Sequence, residues 1–153
     1  MVNEKLKKAL EEIGEDIVDD LSRQLIKAKK IDTGELLNSL DYRVLETVDG
    51  VLLEILANDT LTYVDQGRRR GAKQPPTSAI LPWVKRKNIR IKGAKTDEQK
   101  AFIIARSIKK NGIRPLNIVN KTRDNILRSK VELIKRASME DIEIMITDLI
   151  KNR

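Results

Sequence analysis

Three consecutive guanidinium groups, Arg68, Arg69 and Arg70, open a stretch that runs on through Lys73, Lys85, Arg86, Lys87, Arg90, Lys92 and Lys95 without one acid among them. A guanidinium grips phosphate or carboxylate oxygens through paired hydrogen bonds, and a field of one sign draws a polyanion or an acidic protein face. The segment Gly67 to Gly71 (GRRRG) nevertheless lacks the strand, glycine loop, Lys-Ser/Thr and helix order that cradles nucleotide phosphates. Taken alone, a triple arginine is a solvated loop tip. Its basic company is what points to a binding surface.

The remaining side chains offer little chemistry. The chain has no His and no Cys, which excludes Ser-His and Cys-His nucleophiles, the usual zinc sites and a disulfide framework. A magnesium-dependent nuclease needs only oxygen ligands. The closest local arrangement for one is Asp97-Glu98 with Lys100, at a helix start where acids serve as dipole partners. Pairing Glu54 with Asp41 or Asp65 would require a convergence that no spacing announces. The expectation is therefore a chain with no catalytic residue, metal site or cofactor. Its four aromatics, Tyr42, Tyr63, Trp83 and Phe102, are few for base stacking, so base-specific readout is not expected. Trp83, at helical spacing from Ile80, reads as a core residue.

The elements that position these residues follow from apolar spacing. Leu6, Leu10, Ile13, Ile17, Leu21, Leu25 and Ala28 recur at threes and fours and predict a long helix over roughly 4 to 30, stopped by Asp32-Thr33-Gly34. Period two then takes over: Leu40, Tyr42 and Val44, and after them Val51, Leu53, Ile55 and Ala57, predict two antiparallel strands turning at Asp49-Gly50. Gly67 to Pro76 reads as an exposed loop, with Thr77 as N-cap of a helix carrying Ile80, Trp83 and Val84 and ending near Asn88. A second basic connection, Ile89 to Lys95, precedes a helix begun by Thr96-Asp97-Glu98 and closed by Asn111-Gly112. Asn117 to Asn125 is polar and reads as loop or strand. Beyond it Val119, Ile126, Leu133 and Ala137 keep helical spacing, and Ser138 with Asp141 cap a last helix bearing Ile142, Met145, Ile146, Leu149 and Ile150. The sum is an α+β fold, a long N-terminal helix packed on a small antiparallel hairpin with several shorter helices, in one domain over 1–153.

The N-terminus mixes acids with its apolar residues and predicts neither a signal peptide nor a membrane span. A cysteine-free chain suits a reducing compartment or a particle that must survive oxidation. Charge is unevenly divided: Met1 to Gly67 has 8 basic and 15 acidic residues, net −7. Arg68 to Lys130 has 19 and 3, net +16, and Val131 to Arg153 has 4 and 5, net −1. The overall +8 thus conceals a basic middle attached to an acidic first half.

The central block, about 31–117, carries a recognisable series: Thr33-Gly34-Glu35-Leu36 with Ser39, Tyr63-Val64-Asp65-Gln66-Gly67-Arg68, Pro75-Pro76, Ile80, Trp83-Val84, Lys87-Asn88-Ile89, Ala101 to Ile108, and Gly112-Ile113-Arg114-Pro115. This series resembles the tail-completion and head-tail joining (neck) proteins of tailed bacteriophages. In that family a Tyr, an acid and a Gly-Arg loop follow the hairpin, then a Pro-Pro turn, an Ile-x-x-Trp helix and a helix ending in Gly-x-x-Pro. Tyr63, Gly67, Pro75, Pro76, Trp83, Gly112 and Pro115 occupy those positions here. Leu116 to Val119 departs from the aromatic and apolar run that often follows, and the helical extension about 118–153 matches nothing in the family pattern.

The resemblance implies a non-enzymatic structural protein of the virion, assembled in the host cytoplasm. Many copies would form a ring in the neck or at the tail top, touching portal, adaptor or tail proteins and, without sequence preference, the passing genomic DNA. The expected partners thus include other copies of the chain and no membrane. Independently, a ring is closed by heterologous contacts between unlike faces of one subunit, and the charge division supplies unlike faces. Cations facing partner or DNA would be those of the two basic loops, Arg68 to Lys73 and Lys85 to Lys92. The alternative is a small basic protein that binds nucleic acid regardless of sequence, in line with a pI near 9.7.

Overall fold

The computed structural model describes residues 3–151, with the side chain of Leu149, one of the apolar positions expected in the last helix, outside the described residues. The elements in order are α1 (Glu4–Lys27), α2 (Glu35–Ser39), β1 (Asp41–Thr47), β2 (Gly50–Leu56), α3 (Thr60–Gln66), α4 (Thr77–Lys87), α5 (Asp97–Asn111) and α6 (Ile118–Lys151). This is the expected α+β fold, a long N-terminal helix on a two-stranded antiparallel sheet with further helices. The elements gather into two compact units, Met1–Thr60 with Asn117–Arg153, and Leu61–Leu116.

In the first unit α1 buries the stripe its spacing dictates, Ala9, Ile13, Gly14, Ile17, Leu21 and Leu25. The helix stops at Lys27 rather than 30, because Lys29 turns left-handed at φ 54° and the Lys30 amide reaches back to the Leu25 carbonyl at 3.1 Å. Against it runs α6, antiparallel, tied at three levels. The Asp141 carboxylate accepts from the Lys5 and Leu6 amides at 3.1 and 2.9 Å, which caps the start of α1 from another helix. Lys130 bridges Glu12 and Asp16 at 2.6 and 3.0 Å. At the far end the buried Thr122 hydroxyl donates to Asp20 and accepts from Gln24, and Gln24 also donates to Asp20.

These ties explain two differences from the sequence reading. The last third is one helix of 34 residues, with no break at Ser138 and, of the stretch Asn117 to Asn125, only Asn117 outside the helix. Ser138 bonds back to the Ile134 carbonyl inside the helix, and Asp141 caps α1 instead of its own segment. The polar stretch is helical because Ile118 and Thr122 are buried.

The hairpin packs on α1 through the face bearing Tyr42, Val44, Leu53 and Ile55, opposed as Tyr42↔Ile55 and Val44↔Leu53. Gly14 makes room for it: a Cβ there would lie 2.4 Å from Cδ2 of the Tyr42 ring. The pairing Thr47↔Gly50 puts the two-residue turn on Val48-Asp49, one position before the expected Asp49-Gly50, and Gly50 becomes the first residue of β2.

In the second unit α4 packs on α5 around Ile80, Val84, Ala101 and Ala105, edged by Leu81, Ile89, Ile104 and Ile108. Two alanines on α5 let the helix backbones approach closely. The unit's helix ends follow capping chemistry. Thr96 and Gln99 form a reciprocal capping box at the start of α5, and Asn88 closes α4 in the left-handed region. Thr77 is the first helical residue of α4, with Pro76 in the cap position that the sequence assigned to Thr77. Trp83 is not a core residue: it is 36% exposed, on the flank of the Ile80–Val84 stripe. The short helices α2 and α3 were not expected, since five and seven residues carry too little periodicity to announce a helix.

Candidate basic docking surface

The second unit is where the cations are. Leu61 to Leu116 holds 15 basic and 3 acidic residues, net +12, whereas the first unit holds 16 and 20, net −4. The charge division seen along the chain is therefore a division between folded units.

The arginine loop is held by backbone. Arg68 and Ile113 form an isolated antiparallel bridge, each amide donating to the other's carbonyl at 2.9 Å. Just beyond it the Gly71 amide donates to the Lys109 carbonyl at 2.8 Å. On the opposite flank the Leu116 amide donates to the Val64 carbonyl at 3.2 Å. Two motif glycines make this approach possible. A Cβ on Gly67 would lie 2.3 Å from the Ile113 carbonyl oxygen and 2.7 Å from the Pro115 nitrogen. A Cβ on Gly112 would lie 2.4 Å from the Arg68 carbonyl oxygen. Gly112 also has φ 71° and ψ −169°, a region open in practice to glycine alone. Thus Gly67, Gly112 and Pro115, picked out by resemblance, meet at one backbone crossing.

The three arginines divide into two roles. Arg68 is half-buried; its Nη2 donates to the Lys73 carbonyl and its Nε is shut from solvent without a partner. It serves the loop's own shape, contrary to the expectation that it faces a partner. Arg69 and Arg70 are exposed, and Arg70 Nε donates to the Lys110 carbonyl at 3.1 Å, which fixes its direction along α5. Lys73, Lys85, Arg86, Lys87, Arg90 and Lys92 are all exposed, with Lys85, Arg86 and Lys87 in the last turn of α4, where positive charge complements the helix dipole. Tyr63 and Pro76 are exposed and Pro75 half-buried on the same unit.

Sequence reasoning missed a groove of about 570 Å³ beside the arginine loop, lined chiefly by Arg70, Gln74, Phe102, Arg106, Lys109 and Lys110. Phe102, Arg106 and Lys109 follow at steps of four and three on α5, so one face of that helix presents an exposed aromatic ring among cations. The spacing was available; the uncertain part was which face of α5 the core leaves open, and that is set by Ala101 and Ala105 turning inward.

Two of the carboxylates weighed for metal chemistry are engaged in ion pairs. Asp97 pairs with Lys100 at 2.8 Å at the start of α5, and Glu54 pairs with Arg43 across the hairpin. Among the described residues no three His, Cys, Asp or Glu side chains gather as a metal ion would require. No helix among them is long and apolar enough to cross a membrane. No family model, curated protein or solved structure matches the chain.

Proposed function

We propose that this protein is a non-enzymatic subunit of a bacteriophage neck or tail-completion ring, joining portal or adaptor to tail. The observation that carries the reading is the segregation of charge between two folded units, +12 on one and −4 on the other. A closed ring repeats one heterologous contact, and unlike charges on the two units supply attraction between neighbours and repulsion in the wrong pairing. The bridge through Gly67 and Gly112 gives the resemblance a physical basis, because the motif glycines are those that the arginine loop requires. The exposed cations suit a DNA conduit, where contact with phosphates must be independent of sequence.

Native mass measurement or electron microscopy of the chain, alone and with its neighbouring ring, is expected to give a closed oligomer. A persistent monomer inside assembled particles refutes the reading.

A second reading, a free-standing nucleic-acid-binding protein, is favoured by the density of exposed cations on the second unit. It predicts that the isolated monomer retards DNA at low salt and loses affinity steeply as salt rises. Absence of retardation at low salt removes it.

A further inference from the structure

Beyond its tie to α1 at Asp141, α6 runs on for ten more residues to Lys151, about 15 Å at 1.5 Å per residue. That end carries Met139, Ile142, Ile146 and Ile150 at steps of three, four and four, a continuous stripe in which Met139 is 69% and Ile150 70% exposed. Ordinary soluble helices turn such a stripe inward. Here the α1-facing seam ends in Ala137 and Asp141, so the stripe lies on a different side of the helix. That end of the helix is acidic, with Glu140, Asp141, Glu143 and Asp148 and no base between Arg136 and Lys151. Asp141 is buried against α1 and Glu140 pairs with Lys5, while Glu143, four residues after Met139 and three before Ile146, stands at the edge of the stripe.

The groove on α5 is its complement. It offers Phe102, 51% exposed, as an apolar anchor, rimmed by Arg70, Arg106, Lys109 and Lys110. An apolar face on an acidic helix end, with Glu143 at its edge, matches an aromatic-floored groove edged by cations in both terms of recognition, burial and charge. An anchor ring at the centre with an ionic rim is also the usual anatomy of a specific interface.

We infer that the C-terminal turns of α6 of one copy dock in the Phe102 groove of the next copy. The contact is heterologous, using α6 as donor face and α5 as acceptor face, so it propagates from subunit to subunit. It deepens the ring reading and rests on it, by naming the surfaces through which neighbours join.

The cysteine-free sequence makes the test direct. Gln74→Cys, on the lining of the Phe102 groove, and Ile146→Cys are introduced singly and together in the full chain, with far-UV circular dichroism to check the fold. Under mild oxidation the double variant is expected to give a ladder of dimer, trimer and higher species on denaturing gels, while each single variant stays monomeric. Mixing the two single variants is expected to stop at a disulfide-linked dimer, because each copy then has one reactive face. Adding Ile142→Glu to the double variant is expected to abolish the ladder. Dimers from Ile146→Cys alone overturn the inference in favour of a symmetric α6 to α6 contact. No ladder from the double variant, where the wild-type chain still forms closed oligomers, overturns the docking and leaves the ring standing. A chain monomeric at every concentration overturns both, and retardation of DNA by that monomer, lost in Phe102→Cys, assigns the groove to a polyanion.

Discussion

Gly112→Ala tests whether the arginine loop is held by close backbone approach. The substitution places a methyl group 2.4 Å from the Arg68 carbonyl oxygen and forces alanine into φ 71°, ψ −169°. A non-glycine residue in that region costs about 1–3 kcal/mol. The methyl group also pushes the Arg68 segment away, breaking the two 2.9 Å bonds of the bridge, each worth about 0.5–1.5 kcal/mol. The total is a loss of about 2–6 kcal/mol. Gly71→Ala is the matched control: φ is 79°, yet nothing lies within 4 Å of the added methyl group, so only the left-handed penalty of about 1–2 kcal/mol applies.

Both variants gain alike from the reduced freedom of the unfolded chain, so that term cancels between them. Trp83 is the chain's one tryptophan and lies on α4 of the same unit, so its fluorescence in a urea titration reports the relevant transition. Amide exchange at Arg68 and Ile113 reads the bridge itself. Equal losses in the two variants, or amides still protected in Gly112→Ala, refute the reasoning.

Asp141→Ala leaves two amides at the start of α1 without their acceptor and is expected to cost about 1.5–3 kcal/mol, the range for hydrogen bonds to a charged group, with Asp141→Asn recovering part; thermal unfolding followed by circular dichroism measures it. Stability is expected to fall on the alkaline side. Lys130 is raised above its ordinary 10.5 by its bonds to Glu12 and Asp16, so its contribution is whole below that pH and is lost as pH rises through the higher folded value. Tyr42 is raised above 10.0 by burial and then by Glu15, Glu11 and Asp41, which favours its neutral form and acts in the same direction. Urea midpoints against pH should therefore decline above about pH 10, and the decline should flatten in Lys130→Met and Tyr42→Phe; unchanged slopes would count against both origins. Reversing Arg69 and Arg70 to Glu should block particle joining with the isolated fold intact, whereas Arg68→Glu should disturb the loop itself, since its guanidinium bonds the Lys73 carbonyl; infectious particles from the double reversal would remove the loop as an assembly contact.

What the sequence made legible and what it hid have physical reasons. Ala9 to Leu25 keep one period for many turns, and a pattern that long admits one reading. Thr96 with Gln99 identifies a helix start because both halves of the capping box are local. Ser138 and Asp141 carry the same residue types, but Asp141 meets its amides in α1, 135 and 136 residues away in the chain, and local reading has no access to such a partner. Val48-Asp49 took the turn because strand register is settled by packing of Tyr42 and Val44 on α1, which outweighs the turn preference of Asp-Gly. At the candidate site the cations were visible and their division of labour was not: whether an arginine faces a partner or its own loop depends on the Arg68 to Ile113 crossing.

The division into two folded units changes what the net charge means. A sum of +8 describes a mildly basic protein with a general liking for polyanions. Resolved by folded unit it describes a strongly basic body carried in the same chain as an acidic one, and the two proposed uses then respond differently to salt. Binding of DNA phosphates releases counterions, so its affinity falls as a steep power of salt concentration. A contact between Phe102 and the Met139 to Ile150 stripe loses only its ionic rim, because screening acts within about 10 Å at 0.1 M salt and leaves apolar burial in place. Raising salt should therefore strip DNA from this protein well before it separates neighbouring subunits. Dissociation of both over the same salt range would mean that the stripe contributes nothing, and that charge alone holds the copies together.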